Sequence, residues 1–482
     1  MPEEYGNRLI SHYQKALQIK PDSLAANSRL AEAYYTEKKL EKSFEVWQRY
    51  LKTLPDSVLL IPAFSEMMKK LGFEKEDSEI YQKLLQKESD LTAFFQAFWN
   101  KLSHSESPDT ATATTWKDAM ILGFRLEKEK HWDEAIAAYM KAIEMEPGFS
   151  LSQYALYQMM TYHTSLQAEQ LNKIVDFYRS ISQQHSIYGF LHFMLGNILT
   201  QQGNLAEAIA SYRNAIYQDP YLTEKLPQEY RSPQNKTSSV NFLIIGVGKS
   251  GTTSLYNYMR LHPKIIPSLQ KEIHFFNLKF DLGLDWYLSH FAALPPDGSF
   301  LTGEATPWYL GSQGAETRVF SSFPKAKLIV VLRDPIARAI SHYHMNCRMT
   351  EERSLEAALN SEIAILSNVT DFAQLSEKYW QTEQGYLWFG LYAYFLKKWM
   401  ALFPREQFLI LRSEELYSQT ADTLKQVFEF LGLPDYQLSE YPKYNSGSYP
   451  QINDNLRQQL SHFFSPHNQQ LEDLLGQKFD WQ

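Results

Sequence analysis

Apolar residues in the second half of the chain fall into short uninterrupted runs separated by segments of helical spacing. Phe242-Leu243-Ile244-Ile245 leads into a glycine-rich turn and a helix start. Leu328 to Leu332 leads into Arg333 and then Pro335, a residue suited to the first turn of a helix. The segment from Gly390 to Leu416 reads as a helix and then a strand at Gln407 to Leu411, and 421–434 reads as another helix ending at Gly432. Runs of this length suit a strand and are too short for a helix, and a run without polar alternation suits a strand buried on both faces. The pattern predicts an α/β domain with a central parallel sheet over 240–482.

The first half carries a repeat instead. Aligning Pro21, Pro55, Pro147 and Pro220 places an aromatic residue eight positions earlier each time, at Tyr13, Trp47, Tyr139 and Tyr212. Pro21 and Pro55 are 34 residues apart, the period of the tetratricopeptide helix-turn-helix unit. Gly123 and Gly196 precede their prolines by the same interval, as do Ala135 and Ala208, and small residues there let the two helices of a hairpin approach closely. The segments HWDEAIAAYMKAIEMEP and NLAEAIASYRNAIYQDP resemble the tetratricopeptide family. Pro147 and Pro220 are 73 apart, more than two periods, so degenerate hairpins are expected over 57–102 and 148–186, with a Ser/Thr-rich loop at 103–115. Tyr13 to Pro21 reads as the second half of a repeat, which predicts either an array that begins further upstream or an atypical cap. Helical-repeat surfaces of this kind bind peptides or partner proteins, the alternative being an intramolecular scaffold or a dimer surface. The repeats are assigned to 1–225, and a polar stretch with Pro227 and Pro233 predicts a linker at 226–239.

At 482 residues the chain is long enough for two or more domains with sizeable cores. A net charge of −8 gives no global basicity for nucleic acid or an acidic membrane. With Cys347 alone, no intrachain disulfide can form, and a zinc site built mainly from cysteines is excluded. The start of the chain lacks the apolar core of a signal peptide, and no stretch approaches the roughly 18 apolar residues of a transmembrane helix, so a soluble, cytoplasmic protein is expected.

The candidate chemistry begins at the turn after Phe242–Ile245. Gly246, Gly248 and Gly251 let successive backbone N–H groups converge on one anion at the positive end of a helix. Lys249 adds a charge, and Ser250, Thr252, Thr253 and Ser254 add hydroxyls. The ATPase pattern G-x-x-x-x-G-K-[ST] fails because its first glycine would fall at Leu243, whereas the dinucleotide pattern G-x-G-x-x-G fits Gly246 to Gly251. A dinucleotide enzyme also needs an acidic ribose-binding residue after the second strand, and Glu272 is the one candidate near that spacing.

From Gly246 to Leu255 the chain resembles the 5′-phosphosulfate loop, G-x-x-K-x-G-T-T/S-x-L, of the sulfotransferases that use 3′-phosphoadenosine 5′-phosphosulfate (PAPS), in particular the heparan-sulfate-type branch. The resemblance continues to the end of the chain. QKEIHFFN, 270–277, is similar to the family's catalytic segment and implies Glu272 as general base, with His274 either assisting or packing among the aromatics. A carboxylate beside Phe275 and Phe276 is expected to have a raised pKa. GEATPWYL, 303–310, is similar to E-K-T/S-P-x-Y-F/L, but Ala305 stands where many glycan sulfotransferases carry lysine. LRDPIARAISHY is similar to the 3′-phosphate site and implies Arg333 as phosphate fork and Ser341 as hydroxyl donor, the bland alternative for Arg333 being a structural ion pair. In the nucleotide-covering loop, Asn445 to Pro450 stands where the family reads K-G-R-x-H-P, lysine and arginine are both gone, and contacts would come from Ser448, Tyr449 and backbone N–H groups.

The resemblance therefore implies an all-α tetratricopeptide-like solenoid followed by an α/β, P-loop-like sulfotransferase domain. The nucleotide would be held by Gly248, Lys249, Ser250, Gly251, Thr252, Thr253, Ser254, Arg333, Ser341, Ser448 and Tyr449. Catalysis would rest on Glu272, Lys249 and His274, with PAPS as co-substrate, a hydroxyl-bearing acceptor, and no metal. The competing readings are a non-catalytic repeat scaffold that only binds nucleotide and a P-loop kinase or dinucleotide enzyme.

Overall fold

The computed structural model describes residues 14, 30, 42, 46, 116–147, 150–162, 167–185, 189–233, 239–347, 351–369, 371, 372, 375, 384–438, 441 and 452–481. The chain divides into two compact units, Met1–Asp219 and Pro220–Gln482. Among the described residues no helix is long and apolar enough to cross a membrane.

The described part of the first unit is six helices: α1 (Trp116–Lys128), α2 (Trp132–Met145), α3 (Ser150–Tyr162), α4 (Ala168–Gln184), α5 (Gly189–Gln201) and α6 (Leu205–Tyr217). The repeat explains how α1 packs on α2 and α5 on α6. Gly123 faces Tyr139 so closely that a Cβ would lie 2.5 Å from its ring, and Gly196 faces Tyr212 at 2.6 Å. Both tyrosines are fully buried, as are Ala135 and Ala208. Their hydroxyls reach back across the hairpin, Tyr139 donating to Glu127 and Tyr212 to Asn197. Helices α3 and α4 occupy the interval where a degenerate hairpin is expected. The repeat positions around Pro21 and Pro55, the hairpins expected at 57–102 and the loop at 103–115 lie outside the described residues.

The second unit begins earlier than the sequence suggests. The short helix α7 (Pro220–Lys225) carries buried Leu222, with Leu226 buried just beyond its end. Lys225 Nζ donates to the carbonyls of Arg260, His262 and Ile265 at 2.6, 3.4 and 3.3 Å. The first residues of the proline-containing connection are thus tied down by one ammonium group on three carbonyls, which the pattern of polar residues and prolines does not reveal.

Five parallel strands form the sheet of this unit, in the order β2-β3-β1-β4-β5. They are β1 (Phe242–Gly246), β2 (Ile265–Pro267), β3 (Leu301–Ala305), β4 (Lys327–Leu332) and β5 (Phe408–Arg412). The apolar runs at 242–245 and 328–332 are strands β1 and β4, both buried along nearly their whole length. Helix α8 (Thr252–Met259) follows β1, α9 (Leu284–Leu288) and α10 (Ala315–Ser322) flank β3 in sequence, and α11 (Pro335–Asn346) follows β4. Helices α12 (Leu355–Leu366) and α13 (Tyr392–Met400) precede β5. After it come α14 (Ser413–Ser418), α15 (Thr420–Leu431) and α16 (Asp454–Leu475). One face of the sheet buries Phe242, Ile244, Ile329 and Val331 against Leu255 and Met259 of α8 and Val427 and Phe428 of α15.

Strand order reverses at β1, which pairs with β3 on one edge and β4 on the other. Parallel strands all point their carboxyl ends the same way, and a crevice opens where the order reverses. The glycine-rich turn after β1, the 304–310 segment after β3 and Arg333 after β4 are therefore neighbours by topology. The approach of β3 to β1 is close: a Cβ on Gly303 would stand 2.2 Å from the Phe242 carbonyl oxygen. Gly303→Ala is expected to destabilise the unit by about 1–3 kcal/mol, because backbone has to yield. A thermal melt followed by circular dichroism checks this, and an unchanged midpoint would mean that β1 and β3 separate without cost.

Candidate active site

The turn after β1 has the geometry of an anion cradle. Lys249 (φ 74) and Gly251 (φ 93) both lie in the left-handed region, turning the chain twice before Gly251 caps α8. Gly248 packs under Trp308, whose ring would lie 3.2 Å from a Cβ there. Thr252 and Thr253 open α8, at whose N-terminus unsatisfied N–H groups and the helix dipole favour an anion. Ser250 is fully buried and, among the described residues, its Oγ has no hydrogen-bond partner. A buried hydroxyl without a partner costs about 1–3 kcal/mol, and an anion's oxygen in the cradle would supply one. Ser254 is also fully buried.

Arg333 closes the cradle from β4. Its Nη1 donates to the Lys249 carbonyl at 2.9 Å, and its own carbonyl accepts from the Tyr392 hydroxyl at 2.8 Å. The guanidinium is thus attached to the turn that carries Lys249 and not to a carboxylate. Asp334 caps α11 by accepting from the Ile336 N–H at 3.0 Å, and Ser341 lies buried farther along the same helix. Next to Ser341 sits His342, which the sequence reading does not single out. It is buried among Trp308, Tyr386 and Phe389, and its Nδ1 has no partner. Burial, then the charges of Arg338 and Lys249, push its pKa well below the ordinary 6.5 and keep it neutral.

Glu272 and His274 occupy a turn beside the end of β3. Both have positive φ, 64° and 60°, a conformation that costs an L-residue roughly 1–2 kcal/mol. Ile273, Phe275 and Phe276 are fully buried, while the side chains of Glu272 and His274 remain 34% and 24% exposed. Alternation therefore anchors the turn with apolar side chains and leaves the two polar ones accessible. His274 Nε2 lies 3.7 Å from Glu272 Oε2, and Lys271 Nζ contacts Glu272 Oε1. The expected rise in the Glu272 pKa is not found. Burial pushes the carboxyl up, but the hydrogen bond from His274 and the charge of Lys271 outweigh it and hold the group down at about 2. The sequence reading weighed the rings at 275 and 276 and missed the lysine next door.

Glu304, at the end of β3, is the other carboxylate of the region and is fully buried. It accepts from Thr306 Oγ1 at 2.6 Å, Tyr309 OH at 2.7 Å and Tyr287 OH at 3.3 Å. Burial pushes its pKa up, against the hydroxyls of Thr306 and Tyr309. Tyr287 lies on α9, and both its ring and that of Trp286 are buried. Where the resemblance implies lysine, Ala305 is fully buried, and its carbonyl accepts from the Glu272 N–H at 3.0 Å. The cation of this region comes instead from Lys271. Ser448 and Tyr449 lie outside the described residues.

Comparison with known proteins fits this arrangement. The model of the sulfotransferase domain matches residues 240–464, and that of the tetratricopeptide repeat matches 189–222. The membrane-associated sulfotransferase kil1 of Dictyostelium discoideum is 28% identical over 312 residues, covering 50% of this chain and 66% of that protein, just under two thirds of its length. Heparan sulfate glucosamine 3-O-sulfotransferase 6 of Mus musculus is 31% identical over 270 residues, covering 50% of this chain and 72% of that protein. A solved sulfotransferase from Alicyclobacillus acidocaldarius is 26% identical, with a TM-score of 0.41, covering 50% of this chain and 98% of that one. On the family model and the relative matched over 72% of its length, the chain belongs to the sulfotransferase family, with a tetratricopeptide repeat ahead of the sulfotransferase domain.

Proposed function

We propose that the chain transfers a sulfuryl group from PAPS to an acceptor hydroxyl, with Glu272 as general base. The observation that carries this reading is the hydrogen bond from the Arg333 guanidinium to the Lys249 carbonyl, which ties together two adjacent strand ends that each bear a cationic residue. A nucleotide with phosphates at both the 5′ and 3′ positions calls for two such anion sites. Gly248, Lys249, Ser250, Gly251, Thr252, Thr253 and Ser254 would hold the 5′ side, and Arg333 and Ser341 the 3′ phosphate. The unpartnered Ser250 hydroxyl supports that fit.

PAPS supplies an electrophilic sulfur with a bisphosphate as leaving group. The acceptor oxygen forms its bond to sulfur as the bond from sulfur to the 5′-phosphate oxygen breaks, and the acceptor's proton passes to Glu272. At neutral pH Glu272 is already ionised, which a base requires, yet a carboxylate held at about 2 is a weak one. Lys271 and His274 are the groups that hold it there. If both turn toward an arriving sulfonate, an ammonium group and an imidazole donor meet the developing negative charge and the base recovers proton affinity in the same step. The acceptor is a hydroxyl on a glycan, lipid, peptide or small molecule, and the repeats offer a surface for a protein or peptide partner.

Calorimetric titration of the full chain with 3′-phosphoadenosine 5′-phosphate is expected to show tight binding that Lys249→Ala and Arg333→Ala each weaken by about tenfold or more, as loss of a charge-assisted contact implies. Binding of ATP or NAD in its place would sink the reading. Glu272→Gln is expected to keep bisphosphate binding and to lose about 100- to 10,000-fold in bisphosphate release from PAPS, assayed with a sulfated glycan, a tyrosine peptide and 2-naphthol as acceptors. Retained turnover would remove Glu272 from the chemistry.

The low pKa has a consequence for stability. A carboxyl lowered from 4.5 to about 2 adds stability that is complete above pH 4.5 and is lost as pH falls through about 2. Glu272→Gln is therefore expected to lower the urea midpoint more at pH 7 than at about pH 2.5. Equal losses at the two pH values would show that Lys271 and His274 do not favour the charge.

A further inference from the structure

The turn that bears Glu272 and His274 is held through its backbone, and most of the bonds lead to one group. The Glu272 N–H donates to the Ala305 carbonyl at 3.0 Å, and the Ile273 backbone favours the charged form of the Glu304 carboxylate. The His274 N–H reaches Thr306 Oγ1 at 3.4 Å, and the Phe275 N–H donates to the Tyr309 hydroxyl at 3.0 Å. Those two hydroxyls in turn donate to Glu304, at 2.6 and 2.7 Å. Two consecutive backbone N–H groups therefore end on Glu304, each through a hydroxyl.

We propose that Glu304 is a positioning residue for the transfer reaction: its buried carboxylate anchors the backbone of 273–275 and so aims the side chains of Glu272 and His274. The inference rests on the proposed role of Glu272. Chemistry dictates a carboxylate at this position. Because the Thr306 and Tyr309 oxygens each accept a backbone N–H, their own protons point at Glu304, which has to accept both. A third hydroxyl, Tyr287, donates to it as well. Its side-chain hydrogen-bond partners are hydroxyls, whereas His274 and Lys279 act on it only as charges through space. The anchor also has strain to hold. Glu272 and His274 both sit at positive φ, and without the hydrogen bonds behind them each gains by relaxing to negative φ. Arg318 Nη1 on the Phe276 carbonyl, at 2.9 Å, holds the far end of the turn.

Glu304→Gln is the sharpest test because it keeps the shape and faces an amide NH₂ toward a hydroxyl that already donates. In the full chain, amide hydrogen exchange over 270–280 reads the anchor directly. Calorimetry with 3′-phosphoadenosine 5′-phosphate reads the nucleotide site, and bisphosphate release from PAPS reads the chemistry, with the acceptor that turns over or with water. The expected result is faster exchange confined to this turn and unchanged bisphosphate affinity. With it comes a fall in kcat of about 100-fold at unchanged KM for PAPS, as for a catalytic group displaced by an ångström. Tyr309→Phe, which removes one of the two hydroxyl links, is expected to lose less, and Glu304→Asp to recover part of kcat because it restores an acceptor. Unaltered exchange, or accelerated exchange with kcat intact, would overturn the proposal. A joint loss of bisphosphate binding and kcat would also overturn it, by showing that Glu304 merely supports the fold. If the parent chain binds no bisphosphate, the proposed function fails instead, while the exchange measurement still decides whether Glu304 holds the turn.

Discussion

Everything in the candidate site depends on β1 being hydrogen-bonded along both edges. A strand of Phe, Leu, Ile and Ile with no polar side chain cannot lie at a sheet edge without exposing apolar surface and unpaired backbone. Pairing with β3 and β4 resolves both problems, and because the pairing is parallel it brings three carboxyl ends to one rim. The rim then receives what each strand's following turn carries: a glycine-rich cradle, a buried carboxylate with its hydroxyls, and an arginine. Gly303 permits the closeness of this packing, since β3 approaches β1 nearer than any side chain at that position would allow.

The cradle and the arginine are legible in sequence because each is local. Gly246 to Leu255 declares its turn through glycines at fixed offsets, and Arg333 declares itself by standing between an apolar run and a helix-starting proline. The repeats are legible for a related reason, in that Gly123 and Tyr139 recur as Gly196 and Tyr212 at the same offset. Periodicity exposes a contact when the same contact is built twice. Positions such as 448 and 449, by contrast, lie outside the described residues, and their reading rests on resemblance alone.

What stays hidden in the sequence is long-range or conformational. No spacing rule joins Tyr287, Thr306 and Tyr309 to Glu304, or carries Phe275 to the Tyr309 hydroxyl. The ionisation of Glu272 was misjudged because neighbouring rings can be read from a sequence, whereas the direction in which Lys271 and His274 point is decided by two residues at positive φ. Lys225 hides in the same way: a lysine at the end of the repeat segment, next to a polar stretch, gives no sign of the three carbonyls that converge on it.

The two carboxylates at the β3 end illustrate how environment separates roles between like groups. Glu304 is surrounded by hydroxyl donors, which fix its geometry, while burial raises its pKa against them. Glu272 is partly open to solvent and touched by two side chains that carry or can carry positive charge, which lower its pKa and leave it free to exchange partners. A group that must hold a backbone needs partners that cannot leave, and a group that must accept a proton needs partners that can. Ala305 fits the same division. A lysine at that position would be bonded to the strand end, whereas Lys271 is attached to the turn that carries the base, so displacement of the turn moves cation and carboxylate together. The charge balance at the base therefore belongs to one short segment, and the strand behind it supplies rigidity.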